Sequence, residues 1–340
     1  MSAQAETDLV TGGAGFIGSA LVALLASTGR RVVVLDNLVN GRRANLADLP
    51  DDLVRLVVGD VRDRPLVASL LGEASRVFHL ACLGVRHALH APAENNDVNA
   101  TATLGLLELA ARADVRRFVH VSSSEVYGSA ERTAMDEDHP TRPTTVYGSA
   151  KLAGESYARA FHATGRLRVA IVRPFNAYGP RCHHEGDAGE VIPKFVLRAL
   201  AGRPLIVFGD GAQSRDFTYV EDTARGIALA GSVEGAVGAT INLGSGRETR
   251  IVDLARLVSA ATGRPATSIL HEAERPGDVR RLCADARRAN AILGWRPQVG
   301  FDDGLHGLID WYDTQGVAPE TLLAAEAVRN WRPEELARAG

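Results

Sequence analysis

Tyr147 and Lys151 stand four residues apart in the run Tyr147-Gly148-Ser149-Ala150-Lys151. On a helix, residues at i and i+4 share a face, with Cβ atoms about 5–6 Å apart. An ammonium beside a phenol favours the phenolate and draws its pKa from about 10 toward the working range. Such a phenol can act as a general base on a substrate hydroxyl. The choice of lysine is itself informative. Lys151 and Lys194 are the only lysines in the chain, and arginine supplies every other fixed side-chain cation.

A second group of residues suits phosphate. Thr11-Gly12-Gly13-Ala14-Gly15-Phe16-Ile17-Gly18 follows the apolar pair Leu9-Val10 and opens a helical pattern. Glycine permits a tight turn and close approach of a pyrophosphate, which then meets the helix N-terminus. Asp36 ends the next strand, eighteen residues after Gly18. A carboxylate there accepts hydrogen bonds from ribose hydroxyls and repels a 2′-phosphate, which favours NAD over NADP. Gly59-Asp60-Val61 follows the third strand. Asp60 is placed either to reach an adenine or to cap the helix that comes next.

The elements that must position these groups alternate. Phe16 to Ser27 reads as a helix, Arg31 to Leu35 as a buried strand and Leu53 to Val58 as another. Pro65 to Leu71 is helical and Arg76 to Leu80 a strand. The helix Asp97 to Arg112 precedes the strand Arg117 to Ser122, and the helix Tyr147 to Thr164 precedes the strand Arg168 to Arg173. Strands apolar on both faces that alternate with helices imply a doubly wound parallel α/β sheet. The second half is less regular. Asn176 to Gly189 reads as a functional loop, Val191 to Ala201, Thr223 to Ala230 and Ile251 to Ala261 as helices, Leu205 to Phe208 and Ile241 to Leu243 as strands, and the tail from Pro319 as helical. The expected division is residues 1–175 for the dinucleotide, with strands around 213–245 returning to it, and 176–340 mainly for substrate.

Bulk properties narrow the class. The chain has 340 residues, 46% of them hydrophobic, and a net charge of −3 with both signs mixed. That is ordinary globular composition, with no basic block for nucleic acid or an anionic membrane. Met1 to Asp8 lack the apolar run of an ordinary signal peptide, and no stretch approaches the ~20 apolar residues of a membrane span. Cys82, Cys182 and Cys283 are odd in number and far apart. A disulfide framework is not expected, and a reducing cytoplasm fits better.

The chain resembles the extended short-chain dehydrogenase/reductase family of nucleotide-sugar epimerases and dehydratases, from Leu9 to about Tyr312. The resemblance is carried by the glycine turn, Leu35-Asp-Asn37, Gly59-Asp60, His79-Leu-Ala81, Val121-Ser-Ser-Ser-Glu-Val-Tyr-Gly128, Tyr147-x3-Lys151, Arg173-Pro-Phe-Asn176, Tyr178-Gly-Pro-Arg181, Arg215-Asp-Phe217 and Arg275-Pro-Gly-Asp278. It implies a Rossmann domain with a smaller C-terminal substrate-binding domain and a tightly held NAD. Contacts to NAD would come from Gly12, Gly15, Phe16, Ile17, Gly18, Asp36, Asn37, Asp60, Val61, Leu80, Ala81, Asn99, Tyr147 and Lys151. Ser123 would hydrogen-bond the sugar hydroxyl, Tyr147 would remove its proton, and Lys151 would hold the nicotinamide ribose and depress the tyrosine pKa. Asn176 would contact the diphosphate, Arg215 and Arg275 the phosphates, and Asp278 the nucleotide ribose. Val191, Val207 and Phe208 would wall the base pocket. The helices Asp97–Arg112 and Tyr147–Thr164 resemble the pair that joins two subunits, so a homodimer is expected.

The reaction is read from differences within the family. A 4,6-dehydratase carries Asp-Glu before Val-Tyr-Gly; here the positions are Ser124 and Glu125. A decarboxylase of UDP-glucuronate carries Thr-Ser-Glu, close to Ser123-Ser124-Glu125. Leu35-Asp-Asn-Leu38, Gly209-Asp-Gly211 and Arg275-Pro-Gly-Asp-Val279 look more like the 4-epimerases. Arg86, in the loop after the fourth strand, could meet a C6 carboxylate. The expectation is a UDP-sugar 4-epimerase acting on UDP-glucuronate or UDP-glucose, with the decarboxylase and the dehydratase as alternatives and an NAD-sensing scaffold as the non-enzymatic one. Cys182-His183-His184-Glu185 is not read as a metal site, because neighbouring side chains diverge and the chemistry needs no metal.

Overall fold

The computed structural model describes residues 6–264, 267–332 and 334. Six strands come first: β1 (Thr7–Thr11), β2 (Arg31–Asp36), β3 (Val54–Val58), β4 (Arg76–His79), β5 (Arg117–Val121) and β6 (Val169–Pro174). Six more follow: β7 (Asn176–Tyr178), β8 (Leu205–Phe208), β9 (Ser214–Tyr219), β10 (Thr240–Leu243), β11 (Glu248–Arg250) and β12 (Ile269–Glu272). Seven of them form one parallel sheet in the order β10-β6-β5-β4-β1-β2-β3. This is a Rossmann-like doubly wound sheet.

Both faces are covered, which explains why the strands are apolar without alternation. Leu9, Val33, Val77, Phe118 and Ile171 pack one face against the helices Arg64–Leu71, Ala102–Arg112 and Val146–Ala163. Val10, Val34, Phe78, Val119 and Ala170 pack the other against the helices Phe16–Ser27, Val220–Ser232 and Arg287–Leu293. Chain order reverses between β1 and β4, so the crevice beyond their carboxyl ends is the natural ligand site. The glycine turn leaves β1 at that point.

The remaining strands form small separate sheets. One has the order β11-β9-β7, and β8 pairs with β12. A third core around Phe195, Val207, Leu254 and Leu308 joins these to the helices Val191–Leu200, Ile251–Ala261 and Phe301–Thr314. Of the stretch expected to return to the main sheet, only the helix Val220–Ser232 and β10 do so. β9 pairs with β7 and β11 instead, because its polar residues Arg215 and Asp216 find buried partners there. The helix expected from Asp97 opens with a wider turn at Asp97–Thr101 before the regular helix Ala102–Arg112. The tail from Pro319 gives one helical turn, Pro319–Leu322, and a 3₁₀ turn, Leu323–Ala325, before irregular chain to Arg332. The rest of that expected helix lies outside the described residues, apart from Glu334.

One buried network fixes the helix Val146–Ala163 to the sheet. Arg173 on β6 forks onto Glu155 of that helix, with Nε to Oε1 at 2.8 Å and Nη2 to Oε2 at 2.7 Å. Its Nη1 donates to the Tyr127 hydroxyl at 2.7 Å, which donates to Asn242 Oδ1 on β10 at 2.7 Å. Glu155 is fully buried and Arg173 nearly so. Burial alone would raise the Glu155 carboxyl pKa, but hydrogen bonds and charge from Arg173 overcome it and hold the pKa low. A carboxyl depressed in the fold contributes stability above its unfolded pKa and loses it as pH falls. Removing one partner leaves a buried charge, which costs about 3–5 kcal/mol. We therefore expect Arg173→Met to lose about that much in urea unfolding at neutral pH, and much less at a pH where Glu155 is protonated. Equal losses at both pH values would refute the ion-pair account.

Candidate active site

A single cavity runs from the glycine turn, past Tyr147, to the residues 275–278 and 326–330. At the cofactor end, Gly12 has φ +72°, and a Cβ on it would lie 2.7 Å from the Ala81 nitrogen. A Cβ on Gly18 would lie 2.0 Å from the Gly12 oxygen. The turn is thus closed as tightly as glycine allows. Gly15 precedes the helix Phe16–Ser27 without any side-chain cap. Its first amides are left facing the cavity, as a pyrophosphate site requires. Asp36 accepts from the backbone nitrogens of Ala14 and Leu38, both at 2.9 Å, which fixes its carboxylate at the strand end. Phe16, Ile17, Asn37, Val61, Leu80 and Ala81 complete the wall. This narrow glycine cradle, with a carboxylate at its far side, fits NAD.

The catalytic group comes from two elements pressed together. Thr145 caps the helix Val146–Ala163 by accepting from the Gly148 nitrogen at 3.1 Å. A Cβ on Gly148 would lie 2.6 Å from the Glu125 oxygen, so the helix start rests on the turn Ser124–Val126. This contact sets Ser123 and Tyr147 beside one another on the cavity wall. Lys151 is buried, its Nζ donating to the Val121 carbonyl at 2.9 Å and standing 6.0 Å from the Tyr147 ring centre.

The expected lowering of the Tyr147 pKa by Lys151 is not what the site does. Burial, followed by Cys82, Glu125 and Glu190, pushes the phenol well above 10, and the Ser123 hydrogen bond only partly offsets this. The ammonium spends one proton on the Val121 backbone carbonyl.

Beyond Tyr147 the cavity is crowded with charge. Arg86, Ser124, Glu125, Asn176, Val191, Phe208, Arg215, Arg275 and Asp278 all line it. Burial raises the Glu125 carboxyl pKa, although Arg215 and Arg275 pull it back. Arg86 is brought down to about 10 by burial and by Arg275, and stays cationic at neutral pH. Its guanidinium has no hydrogen bond or ion pair among the described residues. Asn176 Oδ1 is buried without a partner. Asp278 Oδ1 accepts from both Arg215 and Arg275 at 2.5 Å, so this carboxylate orients the two arginines and keeps Oδ2 for a ligand hydroxyl.

Three other expected contacts lie elsewhere. Asp60 is outside the cavity wall, its carboxylate held by the Arg62 side chain at 2.8–2.9 Å and by Asn37 at 3.2 Å. Hydrogen bonds from Arg62 lower its pKa to about 2. Nor does it cap the next helix, a task taken by Asp63. Asn99 is buried behind the wall, where it binds Leu83 through both backbone groups and accepts nothing from the cavity. Val207 is fully buried in the third core, because strand alternation turns Ile206 and Phe208 toward the cavity.

Several cavity residues escaped sequence reading: Glu190, Lys194, Phe195, Arg198, Glu326, Val328 and Asn330. One signal was available, since both lysines of the chain face this cavity. Burial, then Arg86, lowers the Lys194 pKa to about 7. Glu185 ties His183, His184 and Arg42 together. Among the described residues no group of three or more His, Cys, Asp or Glu is placed to hold a metal.

A dinucleotide cradle at a sheet switch point, opening onto a Ser–Tyr–Lys group, defines a Rossmann-fold enzyme that works through a bound nicotinamide cofactor. Comparison with known proteins narrows the class. Residues 9–308 match the family model described as GDP-mannose 4,6 dehydratase. A UDP-glucose 4-epimerase of Mycolicibacterium smegmatis is 38% identical over 309 residues, covering 89% of this chain and 97% of that one. The dTDP-glucose 4,6-dehydratase DesIV of Streptomyces venezuelae, solved with NAD bound, is 36% identical with a TM-score of 0.86, covering 91% of this chain and 97% of that one. A UDP-glucose 4-epimerase of Thermotoga maritima, solved with UDP-glucose, is 30% identical with a TM-score of 0.86, covering 92% and 100%. The chain belongs to this extended short-chain dehydrogenase/reductase family of NAD-dependent nucleotide-sugar epimerases and dehydratases.

Proposed function

We propose that the protein is a UDP-sugar 4-epimerase, with UDP-glucuronate and UDP-glucose as its substrates. The observation that carries this is the Ser123–Tyr147 pair where the cofactor end of the cavity meets the charged end, with Ser124 where an elimination would need an acid. Ser123 donates to or accepts from the C4 hydroxyl of the sugar, and Tyr147 takes its proton. Lys151 holds the nicotinamide ribose from its fixed place on Val121. NAD in the glycine cradle supplies the acceptor for the C4 hydride and its source on return. The resulting 4-keto sugar turns over between Arg86, Glu125 and Asn176, while Arg215 and Arg275 hold the diphosphate. Since burial keeps the Tyr147 phenol protonated, activity rises with pH toward its ionisation.

Arg86 favours the uronate. A half-buried cation that lines the cavity with no ion-pair partner among the described residues is suited to a C6 carboxylate. Glu125 favours a second reading, decarboxylation of UDP-glucuronate, because its raised pKa equips it to carry a proton at neutral pH. The protein also divides, on this proposal, into an NAD-binding part, residues 1–175 with the returning helix Val220–Ser232 and β10, and a nucleotide-sugar-binding remainder. We further infer a cytoplasmic enzyme from its three free thiols; recovery of the native protein from an exported fraction would refute this. No described helix is long and apolar enough to cross a membrane.

Purified protein, incubated separately with UDP-glucuronate, UDP-glucose and UDP-N-acetylglucosamine, should give a product of unchanged mass. Loss of carbon dioxide or water would replace the epimerase with the decarboxylase or the dehydratase. Tyr147→Phe should lower the rate about 10²–10⁴-fold; wild-type turnover would remove Tyr147 as the base. Arg86→Met should raise KM for UDP-glucuronate roughly 10–100-fold and change UDP-glucose little. Equal effects would assign Arg86 to the shared diphosphate. The exposed Leu104 and Val146, on the packed helices Ala102–Arg112 and Val146–Ala163, support a homodimer through this face. Light scattering should give twice the chain mass, and a monomer would rule this interface out.

A further inference from the structure

The segment 323–332 lies as a strap across the far end of the cavity. The Gly186 nitrogen donates to the Ala325 carbonyl at 3.1 Å. Arg198 forks onto Glu326, with Nε to Oε1 at 3.0 Å and Nη2 to Oε2 at 2.9 Å. Lys194 Nζ donates to the Ala327 carbonyl at 2.8 Å. Asn330 Nδ2 donates to the carbonyls of Gly189 and Asp187, at 3.0 and 3.3 Å. The Trp331 ring packs edge-on against Phe208, with centres 4.9 Å apart. Val328 and Phe208 thereby face one another's side of a slot whose other apolar walls are Val191 and Phe195.

We infer that Lys194 and Asn330 read the edge of the nucleotide base, and that they select a carbonyl beside a ring N–H, as in uracil or thymine. This assignment rests on the nucleotide-sugar reading above and adds the base to it. An ammonium has three donors and no acceptor. Lys194 Nζ gives one proton to Ala327 and, protonated or neutral, keeps at least one more for an acceptor such as a base carbonyl. The two carbonyls that take the Asn330 amide protons fix its orientation. Its Oδ1 is left as an acceptor with no partner among the described residues, suited to a ring N–H. The two side chains meet at Gly189. Asn330 binds the Gly189 carbonyl, and a Cβ on Gly189 would lie 2.6 Å from Lys194 Cε. Any side chain at 189 would displace the lysine. Cytosine offers the reverse pattern, an amino donor beside a bare ring nitrogen. It would set donor against donor and acceptor against acceptor. Apolar walls cover a flat ring without discriminating, so selection falls to this edge.

Titration calorimetry on the enzyme as purified, with UDP, dTDP, CDP and GDP as probes, tests the assignment without requiring turnover. Wild type should bind UDP at least about tenfold more tightly than CDP, the worth of one charge-assisted hydrogen bond. Lys194→Met should lose about tenfold for UDP and little for CDP. A slot that merely collapsed would lose both alike. The assignment is overturned if Lys194→Met binds UDP as wild type does, if UDP and CDP weaken equally, or if wild type prefers CDP. Tightest binding of GDP would assign the same edge to a purine and overturn the pyrimidine. The epimerase reading is tested separately by its products. It can fail while UDP selection holds, and UDP selection can fail while epimerisation proceeds.

Discussion

The ion pair between Arg173 and Glu155 sets the geometry on which the site depends. It joins the middle of the helix Val146–Ala163 to β6, two turns beyond Tyr147 and one beyond Lys151. Through Tyr127 and Asn242 the same guanidinium reaches the end of the turn that carries Ser123 and the added strand β10. Asn242 in turn binds Glu137 Oε1 through its nitrogen and the Met135 carbonyl through its amide. Helix, turn and both flanking strands therefore move as one body. The proposed pairing of Ser123 and Tyr147 on substrate needs that rigidity, because a displacement of about 1 Å can cost about a hundredfold in rate. Burying a charged pair is an expensive way to join two elements. Its value here is directional, since a bidentate fork permits one orientation where an apolar contact permits several.

The cavity extends the same logic to substrate. Arg215 and Arg275 point at one another's territory and would repel, but Asp278 accepts from both and holds them side by side. They are thus arranged before any phosphate arrives, so less order remains to be imposed on binding. Arg86 is treated differently. It receives only distant compensation from Glu190, Asp278 and Glu125. On the proposed function, the contrast separates a diphosphate end, already neutralised in part, from a sugar end whose cation has no direct partner among the described residues.

The Rossmann half was legible because its signals are local. Apolar runs, glycines at a strand end and a terminal carboxylate follow from backbone geometry, and the helices Phe16–Ser27 and Ile251–Ala261 stand where their periodicity puts them. The parts that were not legible depend on partners distant in sequence. β9 reads as polar chain until Asp216 is seen to gather the Ser245, Gly246 and Ala284 nitrogens. Asp60 looked free until Arg62 folded back on it. Asn99 looked like a ligand residue until the Leu83 loop claimed both ends of its amide. The strap residues Glu326 and Asn330 carry no motif at all, and only folding brings them to helix Val191–Leu200.

Lysine at two positions in a chain that otherwise uses arginine is explained by what its ammonium does in this cavity. At both sites Nζ donates to a backbone carbonyl, Val121 O in one case and Ala327 O in the other. Each thereby anchors a compact cation and keeps further protons for a ligand. A guanidinium is planar and carries its donors in a fixed fork, whereas an ammonium is a compact point charge with three rotatable donors. Lys194 also crosses Gly189 closely, since a Cβ there would lie 2.6 Å from its Cε. On the proposed function Arg215 and Arg275 give the flat clamp suited to phosphate, and lysine gives a point charge among backbone atoms. The sparse lysine count thus marks two constrained positions in one cavity.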